Sequence, residues 1–353
     1  MKPAEALLGA DLVEGWTVTE KLERGPEATG GTFSVQYLAE RTDAAGTVEH
    51  GFVKALDFSM WKSLGLPLAD ALNHLTNSYV FERDVVLECA GARMRNVVVG
   101  VAAGEYTVDD EAADLMLPDV PYIVFERADG DLRSTMDPNL ATFDRAFAFR
   151  VLHGVTNGVR QLHQAGVSHQ DLKASNVMTF PGSAKVGDLG RASSETGVGI
   201  NDQFPVAGDP TYAALELLYG ELHPDERIRR RASDLYQIGS LAVYLFTGTA
   251  LTPLVEAAMY DTFHWRNWPK DYRNALTFVR EGFDRVMTVL EQNLPDQIRD
   301  DVVRVVRELS DPDPLLRGTP SRGAPPHRYA LDRYVTHFDR LRLRAEIELR
   351  GVV

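Results

Sequence analysis

The chain has 353 residues, 44% of them hydrophobic and 25% charged, and its 37 Lys and Arg against 51 Asp and Glu leave a net charge of −14. That length admits one large or two modest domains, and the acidic balance argues against a nucleic-acid surface while favouring basic peptide partners. The lone cysteine, Cys89, excludes an internal disulfide framework and suits a reducing cytosol.

Met1 to Gly15 mixes acids with apolar residues, unlike a secretory leader. Thr17 to Leu22, Phe33 to Glu40 and Thr47 to Leu56 predict strands, separated by Gly, Pro and Asp43-Ala44-Ala45-Gly46 punctuation. Between the first two lies Arg24-Gly25-Pro26-Glu27-Ala28-Thr29-Gly30-Gly31-Thr32-Phe33-Ser34, whose glycines allow backbone N–H groups to approach phosphate oxygens closely. Lys54 falls in the third strand with apolar flanks, Val53 and Ala55. Leu68 to Cys89 carries helical spacing, with Phe81, Val85, Val86 and Cys89 on one face, so Cys89 reads as a packing residue. Asn96 to Val101 and Tyr122 to Phe125 return to strand. The longest apolar run, Val97 to Ala103, is far short of the ~20 residues that cross a bilayer, so a soluble cytoplasmic chain is expected.

From Asp131 onward helices dominate: Phe143 to Ala165, Ser233 to Thr247, Tyr272 to Gln292 and Asp296 to Leu309. The basic cluster Arg227 to Arg231 reads as a solvated loop ahead of Ser233 as helix N-cap. Gly318 to Pro326 is a Gly/Pro/Arg linker. Leu331 to Leu349 is a closing helix with Leu331, Tyr334, Val335, Phe338, Leu341 and Ala345 on one stripe, expected to pack on the helical part. Eight arginines between Arg317 and Arg350 make this end a candidate docking surface for a partner. Strands first and helices afterwards predicts an α+β fold rather than a doubly wound sheet.

The chemistry concentrates between His169 and Gly190. The chain reads His169-Gln170-Asp171-Leu172-Lys173-Ala174-Ser175-Asn176, then Lys185-Val186-Gly187-Asp188-Leu189-Gly190. Phosphoryl transfer needs an oriented hydroxyl, Mg²⁺ held on the phosphates and neutralisation of developing negative charge. Asp171 can accept or direct a hydroxyl proton, Lys173 can meet the transferring phosphoryl, and Asn176 and Asp188 carry the hard oxygens that Mg²⁺ prefers. Singly, Asp and Asn in a loop are ordinary turn residues. Jointly, at these offsets, they are rare.

This segment resembles the catalytic loop and metal-binding motif of the eukaryotic-type (Hanks-type) protein kinases, in the style of the soluble bacterial Ser/Thr kinases. The resemblance spans residues 17 to 320. It implies a two-lobed fold with an N-terminal extension (1–16), a small mostly-β lobe with one helix (17–127), a large mostly-α lobe (128–320) and a C-terminal linker and helix (321–353), with ATP in the cleft between lobes. It implies Asp171 as base, Lys173 as charge stabiliser, and Asn176 and Asp188 as Mg²⁺ ligands. Gly30 and Gly31 would cradle phosphates, and Lys54 would anchor them, held by a helix carboxylate. Glu82 is the better candidate than Asp84 for that carboxylate, because its i+4 neighbour is Val86 whereas Asp84 has Glu88. Tyr122 to Asp131 resembles the hinge, so the Glu126 carbonyl and Ala128 amide would pair with adenine and Asp131 would reach the ribose.

Gly208 to Glu216 resembles the end of an activation segment, with Leu215 in place of the usual proline. Glu216 is expected to pair with Arg317, and Asp234 to brace the catalytic loop. Three departures stand out. Ser34 replaces the third glycine of the phosphate loop, and either Gln36 or Val35 roofs the adenine, depending on strand register. Gln170 replaces the arginine of the family's His-Arg-Asp, which removes the need for a phosphorylated counter-ion at Ser193, Ser194 or Thr196. Asp209 stands where Ser/Thr kinases commonly have threonine. The implied activity is Mg²⁺-dependent transfer of the γ-phosphate of ATP to a Ser or Thr of a protein. The alternatives are a nucleotide-binding pseudokinase scaffold, or a small-molecule kinase or nucleotidyl transferase on the same fold.

Overall fold

The computed structural model describes residues 2–23, 33–108, 117–136, 144–195, 204–268 and 271–351. They divide into two compact units, Met1–Asp129 with Asp188–Gly190, and Gly130–Gly187 with Arg191–Val353. The first is built on a sheet and the second mostly on helices, an α+β fold. No single described helix is long and apolar enough to cross a membrane.

In the first unit, strands β1 (Thr17–Lys21), β2 (Ser34–Thr42), β3 (Val48–Leu56), β4 (Gly100–Thr107) and β5 (Asp119–Glu126) form an antiparallel sheet in the order β1-β2-β3-β5-β4. Alternation sorts the faces. Tyr37, Ala39, Val53 and Ala55 are buried against Ala4, Leu7, Leu12 and Trp16, so the residues ahead of β1 belong to this unit's hydrophobic core. Tyr37 Oη donates to the Ala4 carbonyl at 2.5 Å. Gly51 is required beneath Trp16, because a Cβ there would lie 2.8 Å from the indole ring.

Gln36 lies directly opposite Lys54, and Val35 opposite Ala55. Opposed residues share a face. Gln36 therefore takes the Lys54 side of the sheet, while Val35 packs on the core side. Strand β4 begins at Gly100, four residues later than the Asn96 start read from the apolar run. Val97 and Val98 are buried without entering the ladder. Val99 instead ties back to Glu126, giving its N–H to Oε1 at 2.8 Å and its carbonyl to the Glu126 N–H at 3.0 Å. Helix α1 (Leu68–Gly91) buries Ala71, Leu75, Glu82, Val85, Val86 and Cys89. A glutamate thus sits within an otherwise apolar stripe.

The second unit starts with β6 (Gly130–Asp131), the single turn α2 (Leu132–Thr135) and α3 (Arg145–Gln164). Asp144 caps α3 by accepting from Ala146 N and Phe147 N. The short strands β7 (Val167–Ser168), β8 (Val177–Phe180), β9 (Ser183–Val186) and β10 (Ser193–Ser194) pair as β6-β8-β9 and β10-β7. Gly154 lets β9 lie on α3, since a Cβ would come 2.4 Å from the Ala184 carbonyl oxygen. Helices α4 (Leu215–Leu218), α5 (Glu226–Thr247), α6 (Leu251–Ala258), α7 (Tyr272–Asn293), α8 (Asp296–Ser310) and α9 (Asp332–Leu349) complete it.

Helix α5 corrects one expectation. It begins at Glu226, capped by Asp225, whose carboxylate accepts from Arg227 N and Ile228 N. Arg227 to Arg231 are therefore helical, and Ser233 is a buried mid-helix residue rather than a cap. Asp225 offered the stronger cap, and the i,i+3 and i,i+4 pairs of Glu226 with Arg229 and Arg230 extend the helix. Helix α9 buries Tyr334, Phe338, Leu341 and Ala345 and packs along α3, with Arg150 meeting Glu346 at 3.3 Å and Arg145 meeting Glu348 at 3.3 Å.

Candidate active site

In the first unit the Lys54 side chain leaves β3 toward the buried carboxylate in the α1 stripe. Its Nζ lies 2.7 and 2.8 Å from the two Glu82 oxygens and 3.0 Å from Asp188 Oδ1. Asp84, the rejected alternative, is exposed and pairs with Arg83 at 2.7 Å. Burial is the largest influence on both members of the pair and opposes charge on each. For Lys54 the Asp188 and Glu82 carboxylates outweigh it and hold the ammonium above the ordinary lysine range. The Glu82 carboxyl is pushed up by burial, with Lys54 drawing it down and Asp188 pushing it further up. Asp188 adopts φ +56, a left-handed conformation that costs a non-glycine residue on the order of 1–3 kcal/mol and persists only where neighbours enforce it.

Glu126 closes β5, and the Ala128 N–H makes no hydrogen bond to a described residue. Gly30 and Gly31, like Thr196, lie outside the described residues. Cys89 is buried and its thiol is pushed up to about 12, chiefly by desolvation, so packing is its role.

In the second unit Asp171, Lys173 and Asn176 come together. Lys173 Nζ lies 3.4 Å from Asp171 Oδ2. Asn176 Nδ2 donates to the Asp171 carbonyl at 2.8 Å and to Asp171 Oδ2 at 3.1 Å. All three are less than 10% exposed. The Asp209 N–H donates to Asp171 Oδ1 at 2.7 Å, and Asp209 Oδ2 lies 3.7 Å from Lys173. Asn176 spends its amide N–H on Asp171, which leaves its Oδ1, a hard donor that takes no hydrogen bond from a described residue. Among the described residues no group of three or more His, Cys, Asp or Glu gathers as a metal cage. A hard, neutral oxygen such as Asn176 Oδ1 is of the kind that suits Mg²⁺, which keeps several of its waters. Asp131 caps α2, accepting from Ser134 N at 2.7 Å, so one of its oxygens already has a structural task.

The loop is held from α5. Asp234, fully buried, accepts from His169 N and Gln170 N at 2.8 Å each, from His163 Nε2 at 2.8 Å and from Gln170 Nε2 at 3.1 Å. Gln170, at φ +66, also donates to the Arg230 carbonyl at 2.9 Å. Its polar head is satisfied inside the fold, where an arginine would need an anion. His169 meets the Gly187 carbonyl at 3.0 Å. Gln237 completes the brace, accepting from Leu172 N and donating to the Gln170 carbonyl, each at 3.0 Å. Sequence reading missed Gln237. Its spacing of three from Asp234 on one helix face was the available signal.

Downstream, Arg317 forks onto Glu216 at 2.6 and 2.5 Å. The β10 segment is held by the arginines of α5: Arg230 Nη1 donates to the Ser194 carbonyl at 3.4 Å, and Arg231 Nη2 to Glu195 at 2.9 Å.

An antiparallel sheet with a helix-held lysine, and a helical unit with a braced Asp-Lys-Asn loop, are the features of a protein-kinase-like fold. Residues 106–324 match the protein kinase domain, more than half of the sequence, and the chain belongs to that family. Among relatives, it is 29% identical over 146 residues to the serine/threonine-protein kinase AfsK of Streptomyces coelicolor, covering 41% of this chain and 15% of that protein. It is 32% identical over 157 residues to the probable serine/threonine-protein kinase PknB of Bifidobacterium longum, covering 43% and 21%. To cyclin-dependent kinase 11B of Rattus norvegicus it is 32% identical over 133 residues, covering 37% and 29%. The aligned stretch thus spans less than a third of each relative.

Proposed function

We propose that this chain is an active protein kinase that moves the γ-phosphate of ATP to a Ser or Thr hydroxyl of a protein substrate. The observation that carries this reading is the Asp171 constellation: a buried carboxylate with an ammonium at 3.4 Å and an amide fixing its orientation. A pseudokinase scaffold would have no need to hold those groups so closely.

Asp171 orients the acceptor hydroxyl and takes its proton as the new oxygen–phosphorus bond forms. The bond from the γ-phosphorus to the bridging oxygen breaks, and that electron pair leaves with ADP. Lys173 offsets charge gathering on the transferring group, and Lys54, fixed by Glu82, holds the phosphates in register. Mg²⁺, when bound, neutralises phosphate charge, and Asn176 and Asp188 are the residues to hold it. Glu126 and Ala128 offer backbone groups to adenine. Because Gln170 is internally satisfied, phosphorylation of Ser193, Ser194 or Thr196 is not required for activity. A cytoplasmic location is part of the same reading, in keeping with a single cysteine that has no intrachain disulfide partner.

The test is incubation of the full chain with Mg²⁺ and ATP labelled at the γ or the α position, using generic basic proteins as acceptors. Transfer of γ label alone is expected, and Asp171→Asn should cut it on the order of 10²–10⁴-fold while sparing ATP binding. Transfer of α label would make the chain a nucleotidyl transferase. Binding without transfer would make it a scaffold.

A further inference from the structure

We infer that Asp209 is a positioning residue that sets the charge of the acceptor, favouring hydroxyls that carry a cationic neighbour; this rests on the kinase reading above. The Asp209 carboxylate divides its two oxygens. Oδ1 accepts from Thr211 N at 2.9 Å and Thr211 Oγ1 at 2.7 Å, capping the turn Pro210–Tyr212. Oδ2 faces Lys173 Nζ at 3.7 Å, and the same ammonium lies 3.4 Å from Asp171 Oδ2. One cation therefore serves two carboxylates, and the three groups together carry a formal charge of −1.

That charge is fixed in place. The Asp209 N–H is bonded to Asp171 Oδ1 at 2.7 Å, and a Cβ on Gly208 would lie 2.4 Å from the same oxygen, so the Gly208-Asp209 backbone rests directly on Asp171. The side chains of Asp171 and Lys173 are 8% and 9% exposed, whereas that of Asp209 is 21% exposed. Asp209 is thus the member of the trio most open to an incoming group. A hydroxyl that reaches Asp171 must bring its flanking residue near this carboxylate. A cation there relieves the excess negative charge, and a carboxylate there adds to it. At an effective dielectric near 20, a pair of unit charges several ångströms apart changes an equilibrium by about tenfold or more. The chain-wide charge of −14 acts in the same sense, but salt screens it beyond roughly 10 Å.

The test uses the full chain and a set of peptides identical except for Arg, Gln or Glu beside the acceptor Ser, with kcat/KM measured for wild type and Asp209→Asn. Asn keeps the backbone N–H and is a good cap, so the turn survives while the charge is removed. Wild type should prefer the Arg peptide over the Glu peptide, and Asp209→Asn should shrink that ratio by about tenfold. A purely structural role would slow all three peptides alike. Asp209→Ser, also a capping residue, reads the same ratio should the Asn variant lose its fold. An unchanged ratio in a folded variant overturns this inference alone. No transfer of γ label to any peptide by wild type overturns the kinase reading and this inference with it.

Discussion

Replacing Arg317 should unfold the helical unit more readily than almost any other single change. Arg317 is fully buried, and its five N–H groups are all engaged. Nε donates to the Asp311 carbonyl at 2.7 Å; Nη1 to Glu216 Oε1 at 2.6 Å and the Ala232 carbonyl at 3.2 Å; Nη2 to Glu216 Oε2 at 2.5 Å and the Pro312 carbonyl at 3.4 Å. Its guanidinium also stacks 5.0 Å from the Tyr236 ring centroid. Arg317→Ala strands the Glu216 carboxylate, 4% exposed, and takes a donor from the Asp311, Ala232 and Pro312 carbonyls, the last of which keeps Tyr272 Oη at 2.7 Å. Breaking a buried pair in this way costs about 3–5 kcal/mol. For a unit of this size each kcal/mol lowers Tm by roughly 2–4 °C, so a drop of about 6–20 °C follows.

The assay is denaturant and thermal unfolding in a Trp16→Phe, Trp61→Phe background, where Trp265 and Trp268 alone report. Arg317→Lys keeps the charge but has only three donors and no planar fork, and should recover less than half the loss. Arg317→Met combined with Glu216→Leu removes both charges and should recover more than half. A single Arg317→Ala variant within about 1 kcal/mol of wild type, or a double variant no more stable than the single one, would refute the argument.

Lys54→Met removes the cation shared by Glu82 and Asp188, so γ-label transfer should fall about 10²-fold or more, with weaker binding of a fluorescent nucleotide. Treatment with phosphatase should leave transfer intact, because Gln170 already finds its partners in Arg230 and Asp234; loss of activity would show that a phosphate is needed after all. The His337 imidazole is held below its ordinary value, first by burial and then by Arg304, Arg340 and Arg333, against the pull of Asp301. Its unfolded form therefore binds the proton first, so stability should fall as pH drops below 6.5 and level off below the folded value. Unfolding scans of His337→Gln should lack that slope. Cys89 should resist alkylation at pH 8 until the chain is denatured, since a buried thiol with a raised pKa offers little thiolate.

Legibility followed the range of the forces involved. Asp171, Lys173 and Asn176 lie within six residues of one another, and their mutual contacts are short-range in the chain, so a single window carries the pattern. Glu82 was also readable, because a carboxylate spaced into an apolar helix stripe must find a buried cation. The start of β4 was not. Val97 to Val99 have the composition of a strand, but the Glu126 side chain, distant in sequence, takes the Val99 N–H instead of a ladder partner. The same holds for Arg227 to Arg231. A run of arginines looks solvated until the Asp225 cap starts the helix early and the β10 segment supplies partners for Arg230 and Arg231.

The placement of the catalytic loop shows why listing its residues does not order them. Gln170 occupies a left-handed backbone conformation in which no local propensity would leave a glutamine. What holds it there is a set of bonds from α5, more than 60 residues away: Asp234 to two consecutive amides, and Gln237 to the carbonyl and amide on either side of Asp171. The strain at Gln170, on the order of 1–3 kcal/mol, is offset by hydrogen bonds that a buried Asp and Gln would otherwise leave unmade. The orientation of the Asp171 carboxylate is therefore a property of α5 as much as of the loop. Removing the Asp234 carboxylate should loosen the loop even though that residue touches no reacting atom.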